Sequence, residues 1–199
     1  VAILFAGIFS TMMPALDWLQ THARGFGKPA SGLFYWACGS LSSILDNAPT
    51  YLTFLSAVFG SCVDQEVVTQ IHQAIQAGDL HQLIAATGPH ADQVQSTYLA
   101  LAKYHSSLLS TGKVGVSYIE TAFLLGQPHL SRFILAISIG AVFFGAMTYI
   151  GNGPNFMVKA IAQQAKVAHV PGFLGYLFKY AFPFLLPVLI VTWLVFFRQ

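Results

Sequence analysis

The residues of this chain able to do chemistry gather at two places where long apolar stretches are interrupted. The first is Ser42-Ser43-Ile44-Leu45-Asp46-Asn47-Ala48-Pro49-Thr50, and the second is Gly151-Asn152-Gly153-Pro154-Asn155. Asp46 lies near the centre of roughly thirty otherwise uncharged residues, and an ionisable group placed that way is costly in a bilayer and usually functional. Both interruptions carry Asn-x-Pro, then a polar residue and a new apolar helix. Proline is favoured in a first helical turn and Asn supplies capping oxygen, so each break should end one half-helix and begin another. The ends of four half-helices can then meet. Free N–H groups and positive dipole ends suit anions, whereas unpaired C-terminal carbonyls, together with Asn and Thr oxygens, suit Na⁺. Ser42 and Ser43 precede Asp46 by four and three positions, which puts them on one helical face and adds oxygen ligands. At Asp46 desolvation favours the protonated acid, while helix N-termini or a bound cation favour the carboxylate. A group poised between these can exchange a proton for a cation.

The composition agrees with a site of this kind. Of 199 residues, 55% are hydrophobic and 8% are charged, against roughly 25% charge in soluble domains, and the mean hydropathy is +0.64. The chain reads as an all-α membrane protein. A net charge of +2, with its bases scattered, argues against nucleic acid. Cys38 and Cys62 sit in apolar surroundings without metal or disulfide spacing and read as packing residues. The start, Val1-Ala2-Ile3-Leu4-Phe5, has no Met, basic region or cleavage site. It is expected to be a piece of a longer protein, beginning in or just before a transmembrane helix.

The elements that must position the two breaks follow from hydropathy. Residues 1–19 predict a spanning helix, uncharged until Asp17, with Pro14 and Trp18 near its far end. Residues 20–30, with Arg24, Gly25, Gly27, Lys28 and Pro29, predict a surface turn. Residues 31–63 predict a re-entrant hairpin with its tip at 46–50. Each arm is about 14 to 16 residues, roughly 21 to 24 Å, short of the ~30 Å hydrocarbon core. Pro49 removes a donor and should push Ala48 out of the helical region. A broken transmembrane helix is predicted over 131–166, its first part running to Ile150 and its break at 151–155. A last span is predicted over 173–197, kinked at Pro183 and Pro187, with Lys179 snorkelling to the interface.

Residues 64–130 differ in kind, with five acids among Gln and His. Val67, Val68, Ile71, Ile75, Leu99, Leu101, Leu108 and Leu109 recur at helical spacings, and Gly88-Pro89 marks a break. Two or three amphipathic helices, on the membrane surface or in an aqueous insert, are expected. His72, His81, His90 and His105 stand at intervals that do not bring metal ligands to one helical face, and read as solvated.

With these motifs, the tip Ser42–Thr50 and the break Tyr149–Val158 resemble the second repeat of the ion-transporter superfamily, which includes sodium/proton antiporters, citrate and other di- and tricarboxylate carriers, and arsenite permeases. The likeness is strongest to bacterial citrate transporters and sodium:proton antiporters, and it covers the chain apart from 64–130. It implies half of an inverted repeat, with the first half missing, and a homodimer in the bacterial inner membrane. By the same likeness Asn47, Thr50, Asn152 and Asn155 are Na⁺ or substrate ligands, joined by Asp46 as proton or cation carrier. Gly151 and Gly153 belong to the break. Dicarboxylate carriers of the superfamily show Ser-Asn-Thr at the tip, where this chain has Asp46-Asn47 and Thr50; the departure favours a cation or proton there.

Three functions follow. The first is sodium/proton antiport, with Na⁺ and H⁺ as transported ions and no cofactor. The second is Na⁺-coupled citrate or dicarboxylate symport, with helix N-termini holding the anion. The third is a truncated or accessory membrane protein without transport. An enzyme is disfavoured, because no Ser/His/Asp set, His-Glu-x-x-His or paired acids lie in the spans. Arg24, Lys28, Arg132 and Arg198 would make the hairpin's base cytoplasmic by the positive-inside rule, whereas the resemblance places it outside and is preferred.

Overall fold

The computed structural model describes residues 2–23 and 30–198, so Arg24, Lys28 and the rest of their turn lie outside the described residues. All regular structure among the described residues is helical. Helix α1 (Ala2–His22) runs through Pro14 for 21 residues. Helices α2 (Ser31–Ser42) and α3 (Asn47–Cys62) have 12 and 16 residues, about 18 and 24 Å, each below the ~30 Å of a hydrocarbon core.

The non-helical piece between them is 43–46, earlier than the predicted tip at 46–50. Asn47, Ala48 and Pro49 already form the first turn of α3. Ala48 is therefore helical, contrary to expectation. Pro49 falls where the first N–H groups of a helix have no intrahelical partner, so its missing donor breaks no bond.

Glycines let these helices approach closely, as membrane packing favours. Helix α2 lies along α9 (Pro128–Phe144), where Gly39 faces the Phe144 ring and a Cβ on Gly140 would come within 2.8 Å of the Tyr35 carbonyl. Helix α3 packs on α1, with Gly60 against the Gln20 carbonyl.

The 64–130 region builds a small core of its own. Helix α4 (Gln65–Ala77) starts at Asp64, whose side chain accepts from Glu66 N at 2.9 Å, and ends at Gly78 with φ 74°, a left-handed cap that favours glycine. Its buried Val67, Val68, Ile71 and Ile75 face α6 (Ala91–Tyr104) and α8 (Val116–Gly126). The short α5 (His81–Ile84) and α7 (Ser106–Ser110) complete it. Leu101 is buried there, but Leu99 points outward. His90 stands beside Asp64, its Nδ1 3.5 Å from the carboxylate. The chain turns by 111° between α8 and α9, where Pro128 opens α9.

Helix α9 stops at Phe144, six residues before the predicted end at Ile150. The break occupies 145–152, and α10 (Gly153–Gln164) follows with none of its residues buried. The 17 residues of α9 give a length of about 26 Å, below the ~30 Å of a hydrocarbon core.

Helix α11 (Phe173–Phe196) is the one helix among the described residues that is both long and apolar enough to cross a membrane, and the bent pair α8 and α9 reaches that standard together. Pro183 lies in a π-helical stretch, Leu177–Leu185, whose wider turn accommodates a ring that would clash with the i−4 carbonyl of an α-helix. Pro187 sits in the first turn of the α-helical part that follows. Tyr35 Oη donates to the Leu189 carbonyl at 3.0 Å and ties α11 to α2.

Candidate functional site

The tip and the break are brought together. Asn47, in the first turn of α3, turns its side chain toward the end of α9. With its amide nitrogen facing the acceptors, it donates to the carbonyls of Ala141 at 3.0 Å and Gly151 at 3.2 Å and lies 2.8 Å from Ser42 Oγ. Ser42 is fully buried, and its hydroxyl donates to the same Ala141 carbonyl. Two glycines make the approach possible. A Cβ on Gly145 would meet the Asn47 amide, and one on Gly151 would come within 2.6 Å of the Ser42 and Ser43 carbonyls. That steric demand explains why α9 ends at Phe144: the chain must leave helical form to bring Gly145 and Gly151 against the tip.

Thr148, which the sequence reading passed over, caps this junction. Its hydroxyl donates to the Ser43 carbonyl and accepts from the backbone N–H groups of Ile150 (3.2 Å) and Gly151 (3.0 Å). A Thr two and three residues before a glycine-containing turn is the signal that could have found it. Tyr176 of α11 was also missed. It donates to the Ala146 carbonyl at 3.0 Å.

Several carbonyls expected to stay open for a cation are thus occupied. Ala141 serves Ser42 and Asn47, and Ala146 serves Tyr176. Phe143 and Phe144 accept from Ala146 N and Met147 N. At the end of α2, Leu41 accepts from Ile44 N and Leu45 N.

The remaining candidates lie around this knot. Ser43 Oγ donates back to the Ser40 carbonyl at 2.7 Å, in the last turn of α2. Thr50 is buried, and its hydroxyl donates to the Asp46 carbonyl at 3.0 Å. Asp46 is exposed, takes the N-cap position of α3, and makes no side-chain cap bond. Because α2 ends at Ser42, Asp46 does not share a helical face with Ser42 and Ser43. Asn152, half-buried, caps α10 by position without a side-chain bond. Asn155, also half-buried, reaches the Gly145 carbonyl at 3.5 Å, at the outer limit of a hydrogen bond. Gly153 is in open space.

One further acid is buried away from the knot. Glu120 of α8 accepts from Gln20 Nε2 (2.8 Å) and Gln65 Nε2 (3.1 Å), linking α1, α4 and α8. Burial pushes its carboxyl above the usual glutamate value, and the two amide bonds oppose that shift.

This arrangement is a backbone junction closed by neutral side chains, with one carboxylate at its edge. No curated protein and no solved structure matches the chain. The family described as "Putative citrate transport" matches residues 1–197. That match spans nearly the whole sequence, tip and break included, and the chain belongs to this citrate-transport family.

Proposed function

We propose that the chain is part of a secondary carrier that couples movement of citrate, or a related di- or tricarboxylate, to a cation. In this reading α2 and α3 form a re-entrant hairpin, α9 and α10 form the broken helix, and Asp46 takes up Na⁺ or a proton. The observation that carries it is the Asn47 bridge, which locks the tip to the break and leaves the adjacent Asp46 carboxylate exposed at the seam. Two discontinuous helices meeting in this way are how transporters build midplane sites. Asn152 and Asn155 supply neutral oxygens beside it. The family supports the cargo class. A first half-repeat, a second protomer and the surrounding bilayer of a bacterial inner membrane complete the site, and the cycle has no chemical step.

Sodium/proton antiport is the second reading. It is favoured by the Asp46-Asn47 pair standing where a carboxylate carrier would show Ser-Asn-Thr.

Labelled citrate uptake into liposomes holding the full-length gene product tests both. Uptake driven by an imposed Na⁺ or pH gradient, and abolished by Asp46→Asn, is the expected result. Na⁺ flux driven by a pH gradient without citrate uptake would select antiport. Neither flux would overturn both readings.

A further inference from the structure

Beside the break a cleft of about 370 Å³ opens between α10 and the start of α11, within the range of small-molecule sites. Its polar lining is Tyr149, Asn155, Lys159, His169 and Tyr176, with no acid among the lining residues. The Lys159 ammonium sits 3.4 Å from the centroid of the Tyr149 ring, a cation–π contact that holds a long flexible side chain in one place. The ring is itself wedged edge-on against Phe173 (5.6 Å) and Tyr176 (6.1 Å). Tyr176 is anchored on the Ala146 carbonyl, inside the break. The ammonium is therefore positioned by the same segment that Asn47 locks.

Two further observations point to an anion at this place. All seven acids of the chain lie at or before Glu120, whereas Arg132, Lys159, Lys166, Lys179 and Arg198 follow it, so the sequence that forms the cleft carries only positive charge. Among the described residues, the two non-glycine residues with positive φ are Lys166 (54°) and His169 (61°). Both lie in the turn that closes the cleft. Such conformations are uncommon for residues with a Cβ, and they cluster at ligand clamps.

We propose that this cleft is the carboxylate-recognition site, with Lys159 pairing one carboxylate of the cargo and His169 offering an N–H donor to another. The assignment rests on the carboxylate-cargo reading and separates the anion site from Asp46, which stays with the cation. An ammonium pre-positioned over an aromatic face and facing no acid gains a charge-assisted bond without first breaking an ion pair.

Labelled citrate binding to the detergent-solubilised full-length protein decides it. Lys159→Gln should weaken binding roughly tenfold or more, and Lys159→Arg should recover part of the loss. Citrate should also slow acetylation of Lys159 in the wild-type protein while leaving Lys179 unaffected, a measurement that needs no variant to fold. Wild-type binding that Lys159→Gln leaves unchanged, or acetylation of Lys159 that citrate does not slow, would overturn the site and leave the cargo reading standing. A wild-type protein that binds neither citrate nor succinate would overturn both.

Discussion

The Asn47 amide nitrogen lies 3.2 Å from the Gly151 carbonyl, joining residues 104 positions apart and bringing the turn between α2 and α3 against the break that follows α9. Both sides of the contact are specific. Only a side chain with an N–H at this length can serve two carbonyls; glycine at 145 leaves room for it, and glycine at 151 lets the break approach the Ser42 and Ser43 carbonyls.

Asn47→Asp should be worse than Asn47→Ala. Aspartate would set a carboxylate against the carbonyls of Ala141 and Gly151, whereas alanine leaves Ala141 still served by Ser42 and only the Gly151 carbonyl without this donor, at about 1–3 kcal/mol for the lost partner. Thermal melting of the purified protein in detergent checks the order, and equal melting temperatures for the two variants would contradict the bridge.

Gly145→Ala should destabilise by about 1–3 kcal/mol, the usual cost of overpacking, because its Cβ would fall 2.5 Å from the nearer atom of the Asn47 amide. Gly153→Ala, one of the break glycines singled out from sequence, meets nothing within 4 Å and should melt within about 0.5 kcal/mol of wild type. The pair separates steric demand at the junction from a general need for glycine.

Asp46→Asn should leave stability within about 0.5 kcal/mol, since the carboxylate is exposed and caps nothing, yet abolish ion-coupled uptake. A variant that melts like wild type and transports like wild type would remove Asp46 from the cycle.

Glu120 gives the pH dependence. A carboxyl whose folded-state pKa is raised contributes stability that is fully present below the unfolded glutamate value and is lost as pH rises through the folded pKa. Glu120→Gln keeps an acceptor for Gln20 and Gln65 and cannot ionise. It should therefore gain on wild type as melting is repeated from about pH 4 to pH 8. Glu120→Ala should be destabilised at both pH values by about 1–3 kcal/mol, because two buried amides lose their acceptor.

What was legible in the sequence was local. Apolar runs marked the helices, Pro49 and Pro154 marked the first turns of α3 and α10, and the repeated Asn-x-Pro drew attention to both breaks. The amphipathic spacing of Val67, Val68, Ile71 and Ile75 placed one buried face of the insert. These follow from backbone sterics and from a period that each segment carries within itself.

Tertiary structure decided the rest. Asp46 and Asn47 are neighbours and both polar, yet one faces out and the other inward, because only Asn47 has Gly145, Ala141 and Gly151 opposite it. The end of α9 at Phe144 was hidden for the same reason: 145–150 reads as apolar helix, and what unwinds it is contact with a tip about a hundred residues earlier, where backbone polar groups buried together must find partners. Composition and local pattern thus determined that the chain is helical, suited to a membrane, and broken twice. Which polar groups close the junction and which stay exposed beside it was decided only when the two breaks packed against each other.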